Sequence, residues 1–141
     1  MLQTPLAEET KLTASDFTVK RDPLIVIVDD DDALRASLDN LIRSFGYRTQ
    51  GFRSAEAFLQ SNNLHNTACL IVDVRMPHMD GLELQRAVVA GKSSIPIIFM
   101  TSYVDEFVRA KAIAAGAVDF LYKPFSEETL LKAIDKALQR S

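Results

Sequence analysis

A chain of 141 residues, 48% hydrophobic and 25% charged, has the length and composition of one globular domain with a single core and leaves no room for a second. A net charge of −3 gives no general pull toward nucleic acid or an anionic membrane, so direct DNA binding is not expected. The lone cysteine, Cys69, excludes a disulfide within the chain, and no apolar run approaches the roughly 20 residues of a membrane span. No basic-then-apolar leader is present either, and a cytoplasmic protein is expected.

Residues 1–22 are polar and threonine-rich, with Leu2, Leu6, Leu12 and Phe17 keeping no period, and read as a flexible leader to a domain over 23–141. Pro23 then opens a strand, Leu24 to Val28, that runs into Asp29 and Asp30. Leu34, Leu38, Leu41, Ile42 and Phe45 recur at helical spacing on one face, and Gly46 ends that helix. Tyr47 to Phe52 read as a second strand, Ser54 as the cap of a helix through Gln60, and Ser61 to Thr67 as a polar loop. The run from Leu70 to Asp73 is a strand apolar on both faces, closed by Pro77 and by Asp80-Gly81, which turns the chain into a helix from Leu82 to Ala90.

A fourth strand, Ile97 to Met100, delivers Thr101 and Ser102, and a helix over Asp105 to Ala115 is stopped by Gly116. Its apolar residues Phe107, Val108, Ala112 and Ile113 are expected in the core, with some of them at the edge of an outer, output-bearing face. The last strand, Ala117 to Tyr122, delivers Lys123-Pro124, and Ser126 caps a final helix with Leu130, Ile134, Ala137 and Leu138 on its inner face. Five βα units in alternation predict an α/β fold, a doubly wound parallel sheet with helices on both faces. The strand order 2-1-3-4-5 puts the first and third strands side by side at the switch point, and with them Asp29, Asp30 and Asp73.

Three neighbouring carboxylates repel one another and call for a cation. Oxygen donors of this kind suit Mg²⁺, expected on Asp30, Asp73 and the backbone carbonyl of Arg75, with Asp29 reaching it through water. The ion and the Lys123 ammonium would offset charge on an incoming phosphoryl group, Thr101 would donate its hydroxyl, and Asp73 would be the nucleophile. Asp31 and Asp32 read instead as capping residues of the first helix, and Cys69 as a small buried hydrophobe. His78 and His65 lack partners at ligand spacing and are expected in solvent.

The set Val28-Asp29-Asp30-Asp31, Asp73-Val74-Arg75-Met76-Pro77, Met100-Thr101-Ser102 and Phe120-Leu121-Tyr122-Lys123-Pro124-Phe125 resembles the receiver domain of two-component response regulators, over about Leu24 to Leu138. Its style is similar to receivers that precede helix-turn-helix output domains of the LuxR type. The resemblance implies a flavodoxin-like sandwich and a phosphoryl group taken from a sensor histidine kinase or phosphotransfer protein onto Asp73. It also implies a cis bond at Lys123-Pro124 and a switch in which Thr101 moves toward the phosphoryl group while Phe120 rotates into the vacated space. The face made by the fourth helix, fifth strand and fifth helix is then the output or homodimer surface. Phe120 stands where a tyrosine would carry a hydroxyl, Tyr122 is given a secondary role, and the Arg75 side chain lies beside the site.

Other classes fit less well. A haloacid-dehalogenase-like phosphatase would need an aspartate where Arg75 stands, and Asp29 to Asp32 would repel the phosphate of a flavodoxin-like nucleotide binder. The nearest alternative is a receiver-like interaction module that is never phosphorylated, against which the set Asp30, Asp73, Thr101 and Lys123 counts.

Overall fold

The computed structural model describes residues 21–140. Along it run β1 (Arg21–Val28), α1 (Asp32–Ser44), β2 (Tyr47–Phe52), α2 (Ala55–Gln60), β3 (Thr67–Asp73), α3 (Gly81–Ala90), β4 (Ile97–Thr101), α4 (Glu106–Ala114), β5 (Asp119–Tyr122) and α5 (Glu127–Arg140). The strands pair in parallel in the order β2-β1-β3-β4-β5, so the expected 2-1-3-4-5 topology is the observed one.

The strands carry apolar side chains at consecutive positions because both faces of the sheet are covered. Ile25, Ile27, Cys69, Ile71, Ile98 and Met100 point to one side and meet Leu38 and Ile42 of α1 and Leu130, Ile134 and Ala137 of α5. Leu24, Val26, Val28, Leu70, Val72 and Phe99 point to the other and meet Phe58 of α2, Leu84 and Val88 of α3 and Ala112 of α4. This split follows from the two-residue period of a strand.

Local signals set the ends of the elements. Asp31 accepts from Leu34 N–H at 3.1 Å, Ser54 from Ala57 N–H at 3.0 Å and Ser126 from Thr129 N–H at 3.0 Å. Asp80 and Glu83 form a reciprocal capping box at α3. Gly46 and Gly116 leave α1 and α4 at φ 97° and 105°, a region that glycine enters without a steric cost.

Several boundaries differ from expectation. β1 begins at Arg21 rather than after Pro23, and its register against β2 jumps between Arg21 and Leu24, where proline has no N–H for the ladder. The leader expected over 1–22 otherwise lies outside the described residues. The loop before β3 holds a 3₁₀ turn at Leu64–Asn66, and Thr67 already belongs to the strand. β5 starts at Asp119 rather than Ala117, because the Ala117 N–H closes the end of α4 on Ala112 O at 3.0 Å. In α4 the core expectation holds for Ala112 and in part for Val108, but Phe107 is 73% and Ile113 40% exposed. Val108 and Ala112, four apart, share the stripe that meets the sheet, and Phe107 and Ile113 are each turned off it by one residue.

Cys69 is fully buried in β3, and burial pushes its thiol up to about 12. The native protein should therefore resist a thiol-specific chromogenic disulfide, while guanidinium-unfolded protein should release one equivalent per chain. Rapid labelling under native conditions would show that β3 opens without global unfolding.

Candidate functional site

Parallel register places the ends of four strands at one edge. Val28 pairs with Val72, Asp73 with Met100 and Thr101 with Tyr122, so Asp29, Asp73, Thr101 and Lys123 emerge together. Asp29 is fully buried, Asp73 is 9% exposed and Thr101 2%. Asp29 Oδ1 accepts from Asp31 N–H at 2.9 Å and Asp73 Oδ1 from Arg75 N–H at 3.1 Å. Their other oxygens turn to the Lys123 ammonium, 3.0 Å from Asp73 Oδ2 and 3.4 Å from Asp29 Oδ2.

Asp30 is exposed and completes a triad in which one oxygen from each of Asp29, Asp30 and Asp73 lies within 4.8 Å of the others. Among the described residues this is the one such group of potential metal-binding side chains. His78 and His65 are both exposed and neither belongs to it.

Burial raises the Asp29 pKa; the Asp31 amide works against this, the Asp73 charge adds to it, and Lys123 lowers it without cancelling the rise. Burial alone would lower the Lys123 pKa, but the hydrogen bond and charge of Asp73, with those of Asp29, outweigh it and leave it raised. Lys123 thus stays charged. One ammonium facing three carboxylates leaves negative charge over, and oxygen donors at this spacing fit a hard divalent cation.

The surroundings hold these groups in place. Asp32 pairs with Arg35 at 2.7 Å, and this hydrogen bond, reinforced by Arg53, lowers the Asp32 pKa. Arg35 also donates to the Asp29 carbonyl at 2.7 Å, so one guanidinium grips both ends of the acidic loop. Gly81 opens α3 directly beneath Asp73; a Cβ there would lie 2.6 Å from the Asp73 carbonyl oxygen and 3.0 Å from Val74 Cα.

Thr101 Oγ1 accepts from Tyr103 N–H at 3.1 Å. The Arg75 guanidinium lies 4.2 Å from the Tyr103 ring centroid, bridging the loops after β3 and β4. Phe120 is buried, with ring centroids 6.0 Å from Phe99 and 5.6 Å from Tyr122. The Tyr122 hydroxyl donates to Glu106 of α4 at 3.3 Å. The Lys123-Pro124 bond is cis.

Of the strand-end residues singled out from the sequence, Asp29, Asp30, Asp73 and Lys123 come together directly, and Thr101 emerges at the same edge. Sequence reading missed Arg35, Tyr103 and the reason for Gly81. Arg35 sits six residues past Asp29 on the polar side of α1, and Asp-to-Arg spacing at that helix start was a usable signal. Tyr103 offered none, because its partner is distant in sequence.

The fold and this site define a response-regulator receiver. The chain belongs to the response regulator receiver domain family, whose model matches residues 25–135. Members take phosphate from histidine kinases and generally use Mg²⁺ at this acidic pocket. The chain is 48% identical over 119 residues to the response regulator protein TmoT of Ectopseudomonas mendocina, covering 84% of this chain and 54% of that one. It thus spans about half the length of the curated relatives it matches. Among solved structures, response regulator StyR superimposes with a TM-score of 0.80 at 42% identity, over 85% of this chain and 61% of that one. The N-terminal FixJ structure gives 0.78 at 36% identity, over 86% and 97%. No described helix is long and apolar enough to cross a membrane.

Gly81→Ala forces a methyl against the Asp73 backbone. It should destabilise the domain by about 1–3 kcal/mol, the usual cost of overpacking. Chemical denaturation with an unchanged m-value and a lower midpoint is the check, and an unshifted midpoint would contradict the close approach.

Proposed function

We propose that Asp73 is the phosphoacceptor of this receiver. The observation that carries the reading is the Asp73 carboxylate at a strand end, 3.0 Å from the Lys123 ammonium and grouped with Asp29 and Asp30. An Asp73 oxygen attacks the phosphorus of a phosphohistidine on a partner kinase or phosphotransfer protein. The P–O bond forms as the P–N bond breaks, and the imidazole nitrogen keeps the electron pair and takes a proton. Lys123 offsets the charge gathering on the transferring oxygens. Thr101 accepts through its oxygen from Tyr103, which leaves its own proton for a phosphoryl oxygen.

Asp30, Asp73 and the Arg75 carbonyl are the proposed Mg²⁺ ligands, with Asp29 acting through water. Asp29 is fully buried, which supports its indirect role, whereas Asp30 is exposed. When bound, Mg²⁺ supplies charge stabilisation at the phosphoryl oxygens.

A groove of about 410 Å³ beside Lys123, lined by Leu34, Leu38, Leu41, Pro124 and Phe125, supports docking of the partner's apolar helix face next to Asp73. For output, the α4–β5–α5 face is proposed as the changing or dimerising surface. Val104 and Phe107, 76% and 73% exposed, supply its apolar area, and Thr101 and Phe120 are the proposed switch pair. This placement goes with a cytoplasmic relay.

Intact mass after incubation with acetyl phosphate tests the reading. The wild type should gain one phosphoryl group in the presence of Mg²⁺ and none with EDTA, and Asp73→Asn should gain none. Lys123→Ala should separate labelling from any change in self-association. Labelling of Asp73→Asn at another residue would sink the assignment, and no labelling at all would favour a receiver-like module that signals by contact alone.

A further inference from the structure

Two side chains stack beside the site without belonging to the acceptor set. Arg75 and Tyr103 stack at 4.2 Å, and each is tied by its own backbone N–H to a residue of that set, Arg75 to Asp73 Oδ1 and Tyr103 to Thr101 Oγ1, both at 3.1 Å. Both side chains are exposed, Tyr103 by 57%. No ion pair of Arg75 is found among the described residues, in contrast to Arg35 and Arg43, each held by a carboxylate.

We propose that the Arg75 guanidinium is a further phosphoryl-binding group, held in reserve on the Tyr103 ring and exchanging that ring for phosphoryl oxygens once Asp73 is modified. The inference rests on Asp73 being the acceptor. A cation over an exposed tyrosine is weakly held, whereas a charge-assisted and bidentate hydrogen bond to a phosphoryl group is among the strongest contacts a guanidinium makes. The competition therefore has a clear direction. Lys123 is already shared between two carboxylates, so the charge added by the phosphoryl group meets a second cation rooted two residues away.

The exchange has a consequence at a distance. Tyr103 is restrained by its ring on Arg75 and by its N–H on Thr101. When Arg75 turns inward the ring restraint is lost, and a Thr101 hydroxyl drawn toward the phosphoryl group, to which it donates its proton, strains the other. Tyr103 leads directly into Val104 and the first turn of α4, where Phe107 is exposed. The apolar patch is thereby reshaped from its site-facing end.

Fluorine NMR on the full chain carrying 3-fluorotyrosine tests this, since the sequence has three tyrosines and Tyr103→Phe identifies the resonance of interest. Beryllofluoride with Mg²⁺ serves as the phosphoryl stand-in, and its own bound fluorine signal reports loading. On loading, the Tyr103 resonance should move while that of buried Tyr47 stays. In Arg75→Ala the ligand-free Tyr103 resonance should already be displaced from its wild-type place, and the step on loading should shrink to less than half. A Tyr103 resonance unmoved in loaded wild type, or the same two resonance positions in Arg75→Ala as in wild type, would overturn the exchange. A wild type that shows no bound beryllofluoride would overturn the acceptor reading and the exchange with it.

Discussion

The ammonium of Lys123 between the carboxylates of Asp29 and Asp73 is the contact on which the site depends, and it exists because the parallel sheet brings the carboxyl ends of β1, β3 and β5 to one edge, where the long lysine side chain reaches back across β4. Nothing local would bring these groups together, for Lys123 is 50 residues from Asp73 and 94 from Asp29. A fully buried carboxylate is costly, and the raised pKa of Asp29 is that cost made visible. Replacing a buried ion pair by well-packed hydrophobic residues is often neutral or stabilising, so stability alone does not explain the cluster. The cluster is thus explained by chemistry at the sheet edge, and a bound cation would relieve the strain that one lysine leaves.

The same arrangement shows why the fold was legible in the residues. Continuous apolar runs ending in Asp29, Asp73 and Thr101 carry both the strand assignment and the site, because a parallel sheet buries its strands on both faces and exposes only their ends. Asp31, Ser54 and Ser126 were readable as caps for an equally local reason. What failed to show was set by tertiary packing. Phe107 and Ile113 look like core residues in composition, yet only the Val108–Ala112 stripe of α4 reaches the sheet. Gly81 reads as half of an ordinary turn, and its true constraint, the Asp73 carbonyl, belongs to the end of another element. Tyr103 meets Arg75 across two loops, where no periodicity exists to announce it.

The helix whose packing the sequence misjudged is also the one best placed to move. α4 has one fully buried side chain, Ala112, whose carbonyl takes both the Gln85 side-chain amide at 3.1 Å and the Ala117 N–H at 3.0 Å. These bonds fix its C-terminal end to α3 and to the entry of β5. Its N-terminal end hangs from a loop whose attachments are the Thr101 hydroxyl, the Arg75 stack and the Tyr122–Glu106 bond, all at or beside the acceptor site. An element with few buried contacts and exposed hydrogen bonds opens at low cost. Held at one end by buried bonds and at the other by exposed ones beside the site, α4 has its weaker attachment at the end that faces the carboxylate cluster.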